Sequence, residues 1–467
     1  MIAPVRPLRR ALLGCVAACF GAFMAASVGA APPAARPAGL QVRLGAQVGH
    51  AVLAGDHFAT ISATAAIEAG DMAFDLEAPL RYRVHDSSPR DGLPNMGVRQ
   101  LDWDEPSEWL RVLRRLEFRR SGEAIYGRVG RLAGATIGHG SLVLGYHNNL
   151  QPDHGMAGMR LDADLGLWGA QLFLSDVVTW QVLATRAFLR PLDGSPSRLL
   201  RSLTAALTFA ADLQAPLRPI TDVQGARTFD ARGVLRAERD LLSMYGLDVG
   251  VEAWRSKSLA LVPYLDLNFM PRPNSDLGMG LHGGVYLHIR PDDPAFELIL
   301  RYEARLEHGP YAAAWFDSMY EVERFQYQRA GGSTMRTKLG WDHGQERGAT
   351  RLGHMIDGEL HILKRFALIA RYQRLPDSGD LVGRDLASLT VHMPPTREVE
   401  VDGFVGVQPG QDNEWTVIAA AALRWRFWRP MHAFVDYHRA WHVVGEALPR
   451  YGVTNDWTWG LGARSTF

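Results

Sequence analysis

Cysteine is almost missing from this chain: 467 residues hold two, Cys15 and Cys19. No cysteine follows them, which excludes a disulfide framework and a thiolate metal site from everything after residue 19. Lysine is nearly as scarce, at Lys257, Lys338 and Lys364. The remaining basic residues are arginines, and 50 basic residues balance 50 acidic ones to a formal net charge of zero. A nucleic-acid binder carries a basic excess or basic blocks, so no nucleic-acid partner is expected. Long apolar runs are also lacking after the first 30 residues; "VIAAAAL" at 417–423 is among the longest. No transmembrane helix is expected there. Alternating strands closed into a barrel can still cross a membrane.

The N-terminus reads differently. Arg6, Arg9 and Arg10 precede the apolar run "ALLGCVAACFGAFMAASVGA", which closes on Val28-Gly29-Ala30. A basic start, an apolar middle and a small-residue end make a secretory signal peptide, with cleavage expected near Ala30 or Ala31. A membrane anchor would carry basic residues directly after the run, and none stand there. "LLGC" at 12–15 looks like a lipoprotein box, but it follows the arginines too soon to leave an apolar core before Cys15.

From about residue 240 the hydrophobic period is two. In "LGMGLHGGVYLHIR" (277–290), Leu277, Met279, Leu281, Val285, Leu287 and Ile289 share one face. His282, Tyr286, His288 and Arg290 lie on the other. After the turn signal "PDDP", Phe296, Leu298, Leu300, Tyr302, Ala304 and Leu306 oppose Glu297, Arg301, Glu303, Arg305 and Glu307. The pattern recurs where Val399, Val401 and Val405 oppose Glu398, Glu400 and Asp402. Trp415, Val417, Leu423, Trp425 and Phe427 line up against Arg424 and Arg426. Met431, Ala433, Val435 and Tyr437 oppose His432, Asp436 and His438.

These runs are longer than the usual strand of a soluble sheet, about 5–6 residues, and match the roughly 9–11 residues that cross a bilayer at a tilt. Trp415 and Trp425 share a face ten residues apart. At about 3.4 Å per residue and a tilt near 40°, they fall roughly 26 Å apart along the membrane normal, the height of an apolar band between two aromatic girdles. A secreted β-sandwich or propeller shows the same alternation with its apolar face inside. Strand length and mixed-sign charge on one face weigh against the sandwich, and the lack of a fixed repeat weighs against the propeller.

The chain ends "WTWGLGARSTF". Trp457, Trp459, Leu461, Ala463 and the terminal Phe467 alternate with small or polar residues; Ser465 breaks the apolar line. With the signal peptide and the alternating strands, this ending resembles the outer-membrane β-barrel proteins of Gram-negative bacteria. The resemblance implies a final strand whose Phe467 is recognised by the barrel-assembly machinery, and an outer-membrane lipid environment. Ser465 departs from the aromatic or aliphatic residue usual at its place. The expected architecture is an all-β, antiparallel, up-and-down transmembrane barrel of about 16–20 strands, an even number being the rule for bacterial single-chain barrels. Residues 1–30 form the signal and 31–467 a single barrel.

Some segments break the period. "DWDEPSEWLRVLRRLEF" (102–118) begins like a helix at Asp104 and Pro106, with Trp109, Val112, Leu113 and Leu116 as its stripe; a strand is the alternative. The glycine-rich 133–149 carries His139 and His147, and His154 follows. Imidazoles suggest a metal, but these spacings match no common ligand motif, so no metal and no cofactor are expected. The favoured reading is an inserted segment within 102–155 that folds inward and narrows the lumen. Residues 213–240, 308–318 and 343–354 read as outer loops.

Catalytic signals are weak. No G-x-S-x-G occurs, and His139 with Ser141, or His147 with Asn148, are neighbours of a kind that chance supplies. His432, Asp436 and His438 on one face are the best candidates for a membrane-embedded hydrolase. The inner-face candidates (His282, His288, Arg290, Glu297, Arg301, Glu303, Arg305, Glu307, Glu398, Glu400, Asp402, Arg424, Arg426, His432, Asp436 and His438) suit a charge-lined pore. The aromatic girdle would comprise Trp415, Trp425, Phe427, Trp457 and Trp459. The expectation is a porin-like passive channel for small hydrophilic solutes, with no catalytic residue. The alternatives are a non-conducting barrel at the cell surface and the hydrolase. A homo-oligomer is compatible with the class.

Overall fold

The computed structural model describes residues 39–467, except 88–95, 104–105, 120, 151–154, 224–226, 230–234, 273–276, 292–295, 326, 331–333, 343–349, 364–365, 376–383, 394–397, 410–414 and 445–449. The expected signal peptide lies outside them. Twenty strands form the wall. They are β1 (Gln41–Leu53), β2 (Asp56–Ala69), β3 (Met72–His85), β4 (Leu113–Phe118), β5 (Ile125–Gly130), β6 (Gly158–Asp164) and β7 (Trp168–Leu174). Next come β8 (Val182–Leu189), β9 (Thr204–Pro219), β10 (Ala237–Gly250), β11 (Leu259–Met270), β12 (Gly278–Ile289) and β13 (Phe296–His308). The last seven are β14 (Thr350–Ile362), β15 (Phe366–Leu375), β16 (Arg384–Met393), β17 (Val399–Pro409), β18 (Trp415–Arg426), β19 (Met431–Val444) and β20 (Arg450–Thr466).

Each strand pairs antiparallel with its sequence neighbours, and β1 pairs with β20 from Arg43↔Thr466 to Val52↔Trp457. That last pairing closes the barrel and removes the exposed edges an open sheet would leave. The terminal residue extends the seam: Phe467 N–H donates to the Val42 carbonyl at 2.8 Å, and the reciprocal bond is 3.2 Å. The chain is an antiparallel, up-and-down, 20-stranded β-barrel, within the expected range.

Paired residues in an antiparallel ladder point to the same side, so the register identifies the faces. Trp425, Ala433, Leu461, Val48, Ile61 and Leu80 stand directly opposite one another across six consecutive strands. Trp425, Leu461, Val48, Ile61 and Leu80 are all exposed. Leu207, Leu247, Leu265, Leu281, Tyr302 and Leu352 continue the apolar belt around the outside. Large apolar side chains left exposed from β18 round through β14 require an apolar surrounding. The alternation therefore runs apolar-out, which settles the choice against a sandwich or propeller with an apolar interior.

Connections at the end that holds both strand termini are mostly short, such as 70–71, 165–167 and 427–430. The opposite end carries the long ones: 86–112, 131–157, 220–236 and 309–349. Several expectations are corrected here. Residues 102–118 divide into a short helix, Pro106–Leu110, and the wall strand β4; Trp109 is exposed rather than part of a buried stripe. The expected loop 213–240 is trimmed at both ends, because β9 runs to Pro219 and β10 starts at Ala237, so the connection between them is 220–236. His308 ends β13, residues 309–318 are buried, and 350–354 begin β14; 343–349 lie outside the described residues.

Candidate functional site

Two of the long connections turn into the barrel. The first is 131–157, narrower than the expected 102–155. Gly140 and Gly145 adopt positive φ values of 81° and 64°, which glycine takes without steric cost. They let the chain fold back on itself: Ala135 and Tyr146 exchange backbone hydrogen bonds of 2.9 and 2.8 Å. The second insert is 309–342. Its Phe316–Asp317 pairs parallel with Val143–Leu144 of the first. Ala314 N–H donates to the Ser141 carbonyl at 2.7 Å, so each insert satisfies part of the other's backbone.

Their apolar residues build a core inside the lumen. Leu142, Val143, Tyr146, Trp315, Phe316 and Tyr320 pack against Phe173, Val182, Ala184, Ala210, Met244 and Met270 of the wall. Small inward residues make the approach possible. At Gly280 of β12 a side chain would collide with the ring of Tyr311 from the second insert. The apolar interior that alternation alone denied to the wall is supplied by the inserts.

Buried charge ties the inserts to the wall. Tyr320 donates its hydroxyl to Asp212 of β9 at 2.6 Å, and Arg324 Nη2 lies 2.8 Å from the same carboxylate. Tyr146 bonds Glu321, which pairs with Arg324 at 3.5 Å. Lys338 Nζ donates to Glu323 and to the Trp315 carbonyl, each at 2.7 Å, and Arg384 of β16 bonds Glu323 at 2.8 Å. Burial alone would raise the Glu323 carboxyl; the charges of Arg384 and Lys338 outweigh it and hold it below the ordinary value. His147 has no such support. Burial, and then the charge of Arg371, push its imidazole down to about 3, so it is neutral near pH 7.

The residues picked out by alternation fall into three groups. His282, Arg301, Glu303, Arg305 and Glu307 stand on the inner face but are buried. Arg301 bonds the His139 carbonyl and lies 3.0 Å from Asp357. Arg305 bonds Glu303 at 2.6 Å and Gln373 at 2.9 Å, and Glu307 accepts the Ala313 N–H at 3.0 Å. This cluster therefore forms a seat for the inserts. Glu400, Asp402, Arg424, Arg426, His432, Asp436 and His438 line the inner face of β17–β19, where Asp402 is 47% exposed. His432 Nε2 lies 3.1 Å from Gln47 Nε2 across the seam strand. Glu297 and His288 lie at the short-turn end of the inner face; Arg290 and Glu398 lie just past the strands there, Arg290 bonding Glu297.

Trp425, Phe427, Trp457 and Trp459 are exposed on the outside; the Trp415 side chain lies outside those described. His139 and His147 are separated by the fold: His139 stacks on Tyr264, with ring centroids 4.0 Å apart, and His147 packs on Phe404 at 4.4 Å. His154 lies outside the described residues.

Alternation missed a second charged wall. Asp75, Glu77, Arg115, Glu117, Arg128, Arg160 and Asp162 line the inner face of β3–β6, and Arg115, Arg128 and Arg160 keep 22–32% of their side chains exposed. Their strands are six or seven residues long, apart from β3, too short for a period-two run to stand out. The signal was the alternation Arg115–Glu117 and Arg160–Asp162 itself.

No family model and no curated protein matches this chain. Among solved structures, it is similar to the ferric enterobactin receptor of Pseudomonas aeruginosa, in a mutant complexed with enterobactin. Identity there is 9%, covering 92% of this chain and 82% of that chain, with a TM-score of 0.36. It is also similar to OccK8 (OprE) of the same organism, at 8% identity, 92% and 98% coverage and a TM-score of 0.33. Outer-membrane expressed OmpT of Vibrio cholerae matches at 8%, 92% and 97%, with a TM-score of 0.28. Likeness this loose carries no function over to this chain, whose barrel architecture stands on its own strand register.

Proposed function

We propose that this chain is a porin-like passive channel of the bacterial outer membrane, exported by a cleaved signal peptide, for small hydrophilic solutes. The observation that carries the reading is an asymmetry inside the barrel. The inner faces of β8–β16 are largely covered by the two inserts, whereas those of β2–β6 and β17–β20 carry partly exposed charge of both signs. A passage between a folded insert and a hydrated, charged wall selects solutes by width and field. Arg43, Arg115, Arg128, Arg160 and Arg464, with Glu68, Asp75, Asp162, Glu400 and Asp402, are its lining.

No covalent step is required. His432, Asp436 and His438 share an inner face, but Gln47, Arg424 and Asp456 occupy their immediate surroundings. Outside the barrel, the apolar belt meets lipid, Trp425, Phe427, Trp457 and Trp459 sit at the interfaces, and the β20 strand with Phe467 is presented to the assembly machinery. Association of several copies through the belt is compatible with this reading.

The apolar core between the inserts favours one other reading, a non-conducting barrel whose inserts complete the seal. Planar-bilayer recording of the refolded protein separates them. Steady single-channel openings support the channel, and a heat-modifiable barrel that never conducts overturns it.

A further inference from the structure

Asp248, Asp266, His282 and Arg305 stand directly opposite one another on β10, β11, β12 and β13, all facing inward. Two carboxylates placed opposite in a sheet repel each other. Arg186 neutralises Asp248 through two bonds, of 2.7 and 3.0 Å. Among the described residues, Asp266 has no such cation. One of its oxygens accepts the Ser141 hydroxyl, while Oδ1 is buried without a hydrogen bond. His282 beside it is fully buried; its Nε2 lies 3.3 Å from the Tyr311 hydroxyl, and its Nδ1 makes no hydrogen bond. The nearest carboxylate to that nitrogen, Glu303, is 3.6 Å away.

Ligand atoms of Asp266, His282 and Glu303 lie within 4.8 Å of one another, and the same holds for His139, Asp248 and Asp266. Burying a carboxylate and an imidazole with idle lone pairs is costly.

We propose that Asp266, His282 and Glu303 bind one divalent cation of the zinc class, with Asp266 shared towards His139 and Asp248. One imidazole nitrogen and carboxylate oxygens suit this class, at bond lengths of about 2.0–2.2 Å, so the side chains draw inward around the ion. The outer shell is in place. Ser141 and Tyr311, one from each insert, bond Asp266 and His282; Tyr264 and Arg305 bond Glu303. A bound cation therefore fastens both inserts to the wall. His139, with 16% of its side chain exposed, marks the access route from the lumen.

The test uses the full-length refolded barrel, stripped with chelator and titrated with Zn²⁺ by calorimetry, with cobalt(II) absorption as a second readout. The expected result is one equivalent per chain and visible cobalt bands. Asp266→Asn or His282→Gln weakens binding by about 100-fold or more, and Ser141→Ala by about 10-fold. A wild-type protein that takes up no stoichiometric metal, or an Asp266→Asn protein that binds equally, overturns the proposal. If either wall variant fails to migrate as a folded barrel, the wild-type stoichiometry and cobalt spectrum decide alone. Binding is read without conductance, so this site and the channel reading fail separately.

Discussion

Tyr320, in the middle of the second insert, donates its hydroxyl to Asp212 of the wall at 2.6 Å, and Arg324 one turn later closes on the same carboxylate. This anchor predicts how firmly the inserts are seated. Tyr320→Phe leaves Asp212 paired with Arg324 and costs about 1 kcal/mol. Arg324→Ala leaves Asp212 and Glu321 buried without their cation and costs about 3–5 kcal/mol. Hydrogen exchange over 309–325 reads both: protection falls slightly in the first and collapses in the second, while the wall strands stay protected.

The outward apolar belt makes a second prediction. Ile61, in the middle of β2, is 59% exposed, and in water Ile61→Arg would change stability little. Facing lipid near the bilayer midplane, the same change costs about 2–4 kcal/mol. Denaturant titration in vesicles, compared with Arg128→Ala on the inner face, distinguishes the two surroundings.

The architecture was readable in the sequence where long strands alternate cleanly, and less so in β9, whose end from residue 213 had the look of a loop. The segments 277–290 and 296–307 displayed their faces plainly, and the paired register of β12 and β13 has those faces. The final strand, β20, was foreshadowed by the alternating C-terminal run. What could not be read was the interior. Arg301 and Arg305 looked like pore charges because alternation reports which side of the wall a residue occupies and says nothing of what covers it. "HGPYAAAWFDS" (308–318) resembled an outer loop because its partners, Leu142 and Val143, lie far away in the chain. The segment around His139 gave a better signal, since its glycines indicated an inward fold.

A third prediction follows from that difference. Neutralising Arg305 disturbs the seat of the inserts, whereas neutralising Arg115 and Arg128 changes the field in the passage. Arg115→Ala with Arg128→Ala shifts the reversal potential in a salt gradient towards cation preference without altering insert protection. Arg305→Ala lowers the protection of the inserts instead. Equal effects of the two variants on reversal potential would contradict the assignment.

Acid should loosen the first insert. The folded imidazole of His147 titrates at about 3, against about 6.5 when unfolded. Above pH 6.5 both states are neutral and the insert keeps its full stability. Between pH 6.5 and 3 the released histidine binds a proton that the buried one cannot, so stability falls by about 1.4 kcal/mol per pH unit. Arg371 faces the ring and adds to the effect. Protease cleavage within 131–150 is expected to rise on acidification through this window in the wild type, with a flatter profile in His147→Gln.

The most direct measurement is single-channel recording of the refolded wild type beside a variant with 131–157 replaced by a short glycine-serine turn. The account predicts small, steady, ion-selective openings in the wild type and a several-fold larger unitary conductance once the first insert is removed. A wild type that never conducts while the shortened protein does would show the inserts to be a complete seal and contradict the channel.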